Sequence, residues 1–319
     1  MNSFDTIKIS IPREVVRAFK PEAFYTKSSK GLEKKVLTNN LPRYLRCPGL
    51  VDVAIADDDT TIIISSKLLS SFGLINNNNI TDAIRQLNES GVITVDSDTL
   101  LDAAEVCRID VAQNLRMQRV TNEYIPVLAG ISAEGVSCRL YGEKSIVFSG
   151  PGAKDRVTFY LKYYELFDHP GYIRALSPNK RAAILAESKD VMRVELNIRT
   201  YADIKYKFGI DTRKLSDVLN SKTPVLANYF NYLLSGGFAA IPESDESFDH
   251  FLKVQGMHRI LEEHAGDPER AKAVIKDKNC NVSSPQRKLL HEAIQQRNKT
   301  AVSNPRILEI QQKLYAQEA

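Results

Sequence analysis

Short runs of this chain alternate apolar and polar residues with a period of two, the mark of strands that bury one face. The opening TIKISIP sets Ile7, Ile9 and Ile11 on one side, and TTIIIS at 60–65 is β-branched from Thr60 to Ile64. Between 106 and 199 the pattern predicts a strand over 106–112 (VCRIDVA), helix over 122–128, and a hairpin of 137–141 (SCRLY) and 145–149 (SIVFS) turning at Gly142-Glu143. A strand over 156–164 (RVTFYLKYY) follows. Next comes a helix with Ser177 as N-cap and Pro178 at its first position, then a strand over 192–199 (MRVELNIR). That order, β-α-β-β-β-α-β, predicts an α+β fold: an antiparallel sheet of split β-α-β (RRM-like) type with helices on one face. In that plan the first and third core strands are adjacent at the centre and the last strand pairs with the first.

Outside this core the signals are sparser. Ala83, Ile84 and Leu87 mark a short helix stopping at Gly91, and Asn76 to Asn79 before it are expected to be a solvated loop. Beyond about residue 210 the chain predicts mostly helix, including a buried YFNYLL segment at 229–234 and helices opened by Ser284-Pro285 and Asn304-Pro305. Three parts are expected: 1–100, an α+β segment; 101–210, a core carrying the chemistry; and 211–319, a helical region. Arg287, Lys288, Arg297, Lys299 and Arg306 make the last part locally basic. This basic character reads either as a solvated helical face or as duplex DNA contact or oligomerisation; on the DNA reading, deletion from Ser283 onward spares single-strand chemistry.

Parity along the three core strands assembles a candidate site. Arg108 and Asp110 share one face of the first strand; Tyr160 and Lys162 share one face of the second, with Tyr164; Arg193, Glu195 and Asn197 share one face of the third. If the strands are neighbours, these residues line one surface of the sheet while Val157, Phe159, Val194 and Leu196 pack beneath it. Alternating charge is common on solvated sheets, and parity alone does not choose among Tyr160, Tyr163 and Tyr164. The residue types suit phosphoryl transfer. Carboxylates hold hard ions such as Mg²⁺ or Mn²⁺, a phenol is a nucleophile once deprotonated, and arginine forks clamp phosphate.

Charge and composition narrow the partners little. The 319 residues carry a net charge of +4, with 43% hydrophobic and 26% charged residues, values ordinary for a globular domain and compatible with nucleic acid. No apolar run reaches the roughly 18 residues of a membrane span, and the N-terminus lacks a signal-peptide core. Four cysteines without CxxC spacing fit a reducing cytoplasm. Five histidines, none in a His-x-His cluster, point to carboxylates for any metal; His169, in a DHPG turn, is expected to be structural.

The segments CRIDVAQNLR, RVTFYLKYYELF and MRVELNIRTYADIKYKFGI resemble, in order and spacing, three motifs of the phage and plasmid rolling-circle replication initiators typified by the filamentous-phage gene II protein. The opening DTIKISIP is similar to the start of many members. The resemblance covers about a third of the chain. It implies a site-specific DNA nickase that rejoins ends through a covalent phosphotyrosine, with Tyr160 as nucleophile, Lys162 beside it, and Asp110, Glu165 and Glu195 as the acidic residues assigned to Mg²⁺ or Mn²⁺. Arg108, Arg193 and Arg199 would contact DNA, although Arg199 stands where the pattern has lysine. Glu165 has the wrong parity to share Tyr160's face unless the strand ends or bulges at 163–164. Implied partners are origin DNA, single-stranded and duplex, and a host helicase and polymerase in the cytoplasm of a bacterial cell. The alternatives are an origin-binding initiator that does not nick, and a mobilisation relaxase.

Overall fold

A computed structural model describes residues 2–235 with short breaks (30–31, 39–40, 42–46, 70–72, 119–122, 132, 134, 151–154, 169–172 and 175). Beyond these it describes parts of 253–261 and the segments 268–279, 285–293 and 304–316. The α+β expectation holds. Among the described residues twelve strands form: β1 (Phe4–Pro12), β2 (Val16–Phe19), β3 (Phe24–Ser29), β4 (Leu32–Leu37), β5 (Leu50–Ile55), β6 (Asp59–Ser65), β7 (Ile93–Val95), β8 (Glu105–Arg116), β9 (Ser137–Tyr141), β10 (Ser145–Ser149), β11 (Asp155–Leu161) and β12 (Val191–Ile198). Ten of them make one antiparallel sheet ordered β3-β4-β5-β6-β1-β8-β12-β11-β10-β9, and β2 pairs with β7 apart from it.

This order corrects the RRM-like plan. The last core strand, β12, does pair with the first, β8, but β11 lies beyond β12 rather than beside β8. The other edge of β8 is taken by β1, with Ile7 opposite Ile109 and Thr6 opposite Asp110. Each half of the sheet then repeats one path. A strand is laid at the seam, the chain crosses to the far edge, and successive strands return until the last pairs with the first: β1 then β3 to β6, and β8 then β9 to β12.

Side-chain alternation decides which face the helices cover. Ile7, Ile9, Ile109, Val111, Val157, Phe159, Val194 and Leu196 are all buried on one side. There Phe159 meets Phe148 edge-on at 6.0 Å and Phe230, from the helix Val225–Ser235, at 5.8 Å. Burial of such side chains contributes about 1.5–3 kcal/mol each. Residues on both sides of 210 share this packing. Leu215, Val218, Phe230 and Leu233 join the same core as Ile7 and Leu196, as do Ile307, Ile310 and Leu314 of the helix Pro305–Ala316. That last helix is also tied down by polar contacts: Gln113 Nε2 donates to the Lys313 carbonyl at 2.8 Å, and Asn304 Oδ1 caps the helix by accepting from Arg306 N at 3.0 Å. A separate small core gathers Val254, Leu261, Ala271, Ile275, Leu290 and Ala293.

Two local expectations are refined. Gly91 ends the helix Ile80–Ser90 in the left-handed region, φ 67°, as its position predicts. The asparagine run is structured rather than merely solvated. Asn79 Oδ1 accepts from Asn76 N at 2.8 Å and its Nδ2 donates to the Leu74 carbonyl at 2.9 Å, fixing the entry to that helix. Among the described residues no helix is long and apolar enough to cross a membrane.

Candidate active site on the open sheet face

The strands β11, β12 and β8 lie side by side, so cross-strand register sets the site. Arg193 on β12 is opposite Tyr160 on β11 and Asn114 on β8, and Glu195 is opposite Thr158 and Ala112. The phenol is therefore a diagonal neighbour of Glu195, within reach of a long side chain. Its hydroxyl donates a hydrogen bond to Glu195 Oε1. Arg193, only 3% exposed, lies behind them, its Nε donating to Asn114 Oδ1 at 2.7 Å and its Nη1 to Asp5 Oδ1 at 2.8 Å. Glu195 Oε1 is 3.7 Å from the same guanidinium. One buried cation is thus flanked by two carboxylates and faces a phenol.

Lys162 arrives differently from its expectation. The strand stops at Leu161, and the helix Lys162–Asp168 begins at once. Lys162 is 6% exposed, its Nζ 5.5 Å from the centre of the Tyr160 ring and 2.8 Å from Glu165 Oε2 one helical turn on. The parity objection to Glu165 disappears, because after the strand ends the i, i+3 spacing of a helix brings it back to Lys162. The same change separates the tyrosines. Tyr163 and Tyr164 are helical and meet edge-on at 5.8 Å, with Tyr163 also edge-on against Phe167 at 4.9 Å.

The other predicted residues form a second group further along the face. Asp110 accepts from Asn197 and from Arg108, whose Nη2 is 3.0 Å from Asp110 Oδ2, and Arg199 Nε donates to Asn197 Oδ1. Glu195 and Asn197 are two residues apart on β12, so the groups are about 7 Å apart along the strand. Arg108 and Arg199 flank this second group, whereas the burial of Arg193 leaves it little surface to offer DNA. His169 lies outside the described residues.

The three carboxylates assigned to a metal each face a cation: Asp110 with Arg108, Glu165 with Lys162 and Glu195 with Arg193. Among the described residues no three His, Cys, Asp or Glu side chains gather as a ligand set. As placed, the three do not fit one ion. For Mg²⁺ or Mn²⁺ to be shared by them, the carboxylates would have to turn from these cations.

Electrostatics divide the labour among the acids. Burial pushes Glu195 up to about 7, helped by the negative charge of Asp5 and opposed by Arg193 and the Tyr160 hydroxyl. Asp5 is also disfavoured by burial, yet Arg193, Lys162 and the Ser66 hydroxyl (2.8 Å) outweigh it and hold its pKa below the ordinary carboxylate value. Burial first, with the surrounding acids, raises the Tyr160 phenol well above its usual value, Arg193 acting against the rise. Burial and Arg193 together lower Lys162 despite Glu165. Two neighbouring carboxylates with pKa values driven apart are the usual arrangement of a proton acceptor beside a fixed charge.

Asp5 and Asn114 are the site residues that sequence reasoning missed. Asn114 has the parity of Arg108 and Asp110, and a strand prolonged by one residue pair past 112 would have included it. Asp5 has the parity of Ile7 and Ile9 and reads as core. A bulge between Phe4 and Thr6 places an extra residue on the strand, so that Phe4 and Ile7 are both buried while Asp5 turns to the open face. Comparison of the chain with models of known protein families and with curated proteins finds no match.

Proposed function

We propose that this chain is a rolling-circle replication initiator that nicks and rejoins DNA through Tyr160, acting on single-stranded and duplex origin DNA alongside a host helicase and polymerase in the bacterial cytoplasm. The observation that carries the reading is the hydrogen bond from a half-buried phenol to a carboxylate of pKa about 7, backed by a buried arginine. The motif resemblance supports the same tyrosine. In the forward step Tyr160 Oη attacks phosphorus as its proton passes to Glu195 Oε1. A bond from phosphorus to a DNA oxygen breaks, and the ammonium of Lys162 protonates the leaving oxygen. Arg193 stabilises the phenolate as it develops, since its charge is held in place without solvent. The phosphotyrosine ester conserves the bond energy, so the reverse attack reseals the strand. Arg108 and Arg199 are positioned beyond the reacting centre, where a strand lying along the open face would pass.

A covalent adduct is the direct test. The chain incubated with a library of single-stranded oligonucleotides is expected to give a denaturation-resistant adduct, mapped by mass spectrometry to Tyr160. An adduct on Tyr163 or Tyr164 would move the nucleophile into the helix. Tight DNA binding with no adduct would favour the initiator that does not nick. An arm in EDTA reads whether a divalent ion enters with the DNA.

The pH dependence follows from Glu195. Facing it are Tyr160, Arg193, Asp5, Lys162 and, through Lys162, Glu165; Asp5 is ionised throughout the neutral range. Glu195 accepts a proton only when ionised, so the rate of adduct formation is expected to rise with pH through about 7. Glu195→Gln is expected to slow the reaction by about 10²- to 10⁴-fold and to remove that inflection. An unchanged profile in this variant would assign the proton to another base.

A further inference from the structure

On the helix-covered side of the sheet, at the end of β11 remote from Tyr160, a cavity of about 530 Å³ is lined by Asp155, Tyr206, Lys207, Tyr229 and Tyr232, with Gly150 at its wall. Its volume lies within the range of small-molecule sites. Lys207, from the helix Tyr201–Phe208, pairs with Asp155 Oδ2 at 2.8 Å and lies 5.2 Å over the Tyr229 ring. Two polar atoms here have no hydrogen-bond partner among the described residues: the hydroxyl of Tyr229, a side chain only 7% exposed, and Asp155 Oδ1. Burying such atoms unsatisfied costs stability, and a fold that retains both leaves them available to a ligand. Burial, and then the charge of Asp155, raise the Tyr229 phenol, so its hydroxyl stays protonated and able to donate. Tyr206 is 85% exposed and Tyr232 45% exposed at the cavity, offering ring faces to a planar guest.

We propose that this cavity binds a guanine base. Asp155 Oδ1 would accept from the ring N–H and the exocyclic amine, Lys207 and the Tyr229 hydroxyl would donate to the adjacent carbonyl oxygen, and Tyr206 or Tyr232 would stack on the ring. Adenine offers only one donor on the corresponding edge, and thymine one donor between two acceptors. The guanine can come from a free nucleotide or from an unpaired DNA strand, and neither source depends on the nicking chemistry proposed for Tyr160.

Calorimetric titration of the full chain with GMP, AMP and TMP, and with a dT oligonucleotide bearing a single dG, tests this. GMP is expected to bind at least tenfold more tightly than AMP or TMP. Tighter binding of the oligonucleotide, displaced by GMP, assigns the site to a DNA strand; equal binding assigns it to the free nucleotide. Tyr229→Phe removes a hydroxyl that bonds nothing among the described residues, so it is expected to leave thermal stability unchanged or higher while weakening GMP about three- to tenfold. Tyr206→Ala, at an exposed position, is expected to weaken it about tenfold. Undetectable GMP binding, equal affinity for AMP, or a Tyr229→Phe variant that is folded and binds GMP as before would each overturn the proposal.

Discussion

Tyr160→Phe is expected to abolish nicking and adduct formation entirely while leaving affinity for single-stranded DNA within a few-fold. The variant loses one hydroxyl, the nucleophile proposed above, and keeps the rest of the site. The ring, its contact with Lys162 and the burial of Arg193 remain, so the fold should melt near the parent temperature. Glu195 loses one hydrogen bond but keeps the neighbouring guanidinium at 3.7 Å. Gel analysis of adducts, binding by fluorescence anisotropy and a melting curve on the same preparation check all three. Normal cleavage by this variant, with loss in Tyr163→Phe or Tyr164→Phe, would mean that the helix after β11 carries the chemistry.

Deleting residues 283–319 is expected to abolish single-strand cleavage and duplex binding together, contrary to what the basic composition of the tail predicts. The helix Pro305–Ala316 fills the main core with Ile307, Ile310 and Leu314, each at most 1% exposed, and Glu309 accepts from Gln118 N at 2.8 Å and from the Tyr124 hydroxyl. Removing three such side chains at about 2–5 kcal/mol each takes most or all of a typical net stability of about 5–15 kcal/mol. Ile310→Ala alone, measured by denaturant unfolding, should cost about 2–5 kcal/mol. DNA contact by the tail is better read from Arg287→Ala and Lys288→Ala, exposed positions whose loss spares the core. If they touch phosphate, the log–log salt slope of duplex binding falls by about 0.9 per contact. A truncated protein that melts cooperatively and cleaves a short strand would show the last helix to be dispensable.

What the sequence disclosed follows from the range of the interactions involved. In 105–198 alternation located β8 to β12 to within a few residues, because the open face needs charge and the covered face needs apolar side chains at every second position. In the first hundred residues β3 (FYTKSS) and β4 (LEKKVL) are rich in lysine at the outer part of the sheet, a composition that protects an edge and erases the alternation. Strand order is set by pairings between distant segments, and no local pattern encodes that β1 rather than β11 takes the second edge of β8. At the site, the types and faces of Tyr160, Arg193 and Glu195 were legible from parity. The helix that starts at Lys162 and the bulge at Asp5 were not, since each depends on one residue of register.

The seam between the two halves of the sheet has a consequence for the life of the nascent chain. β1 finds β6 early, within the first 65 residues, but its other edge must wait for β8 to be synthesised. Asp5 and Arg193 are 188 residues apart in sequence, so the acid–arginine pair behind Tyr160 cannot form until β12 has left the ribosome. Closing so long a loop is slow relative to the local hairpins. During that interval β1 presents an unpaired row of backbone donors and acceptors, a template for mispairing with another chain. On the mechanism proposed for Tyr160, an incomplete chain would lack the Asp5–Arg193 pair behind the phenol and would not nick DNA until both halves had joined.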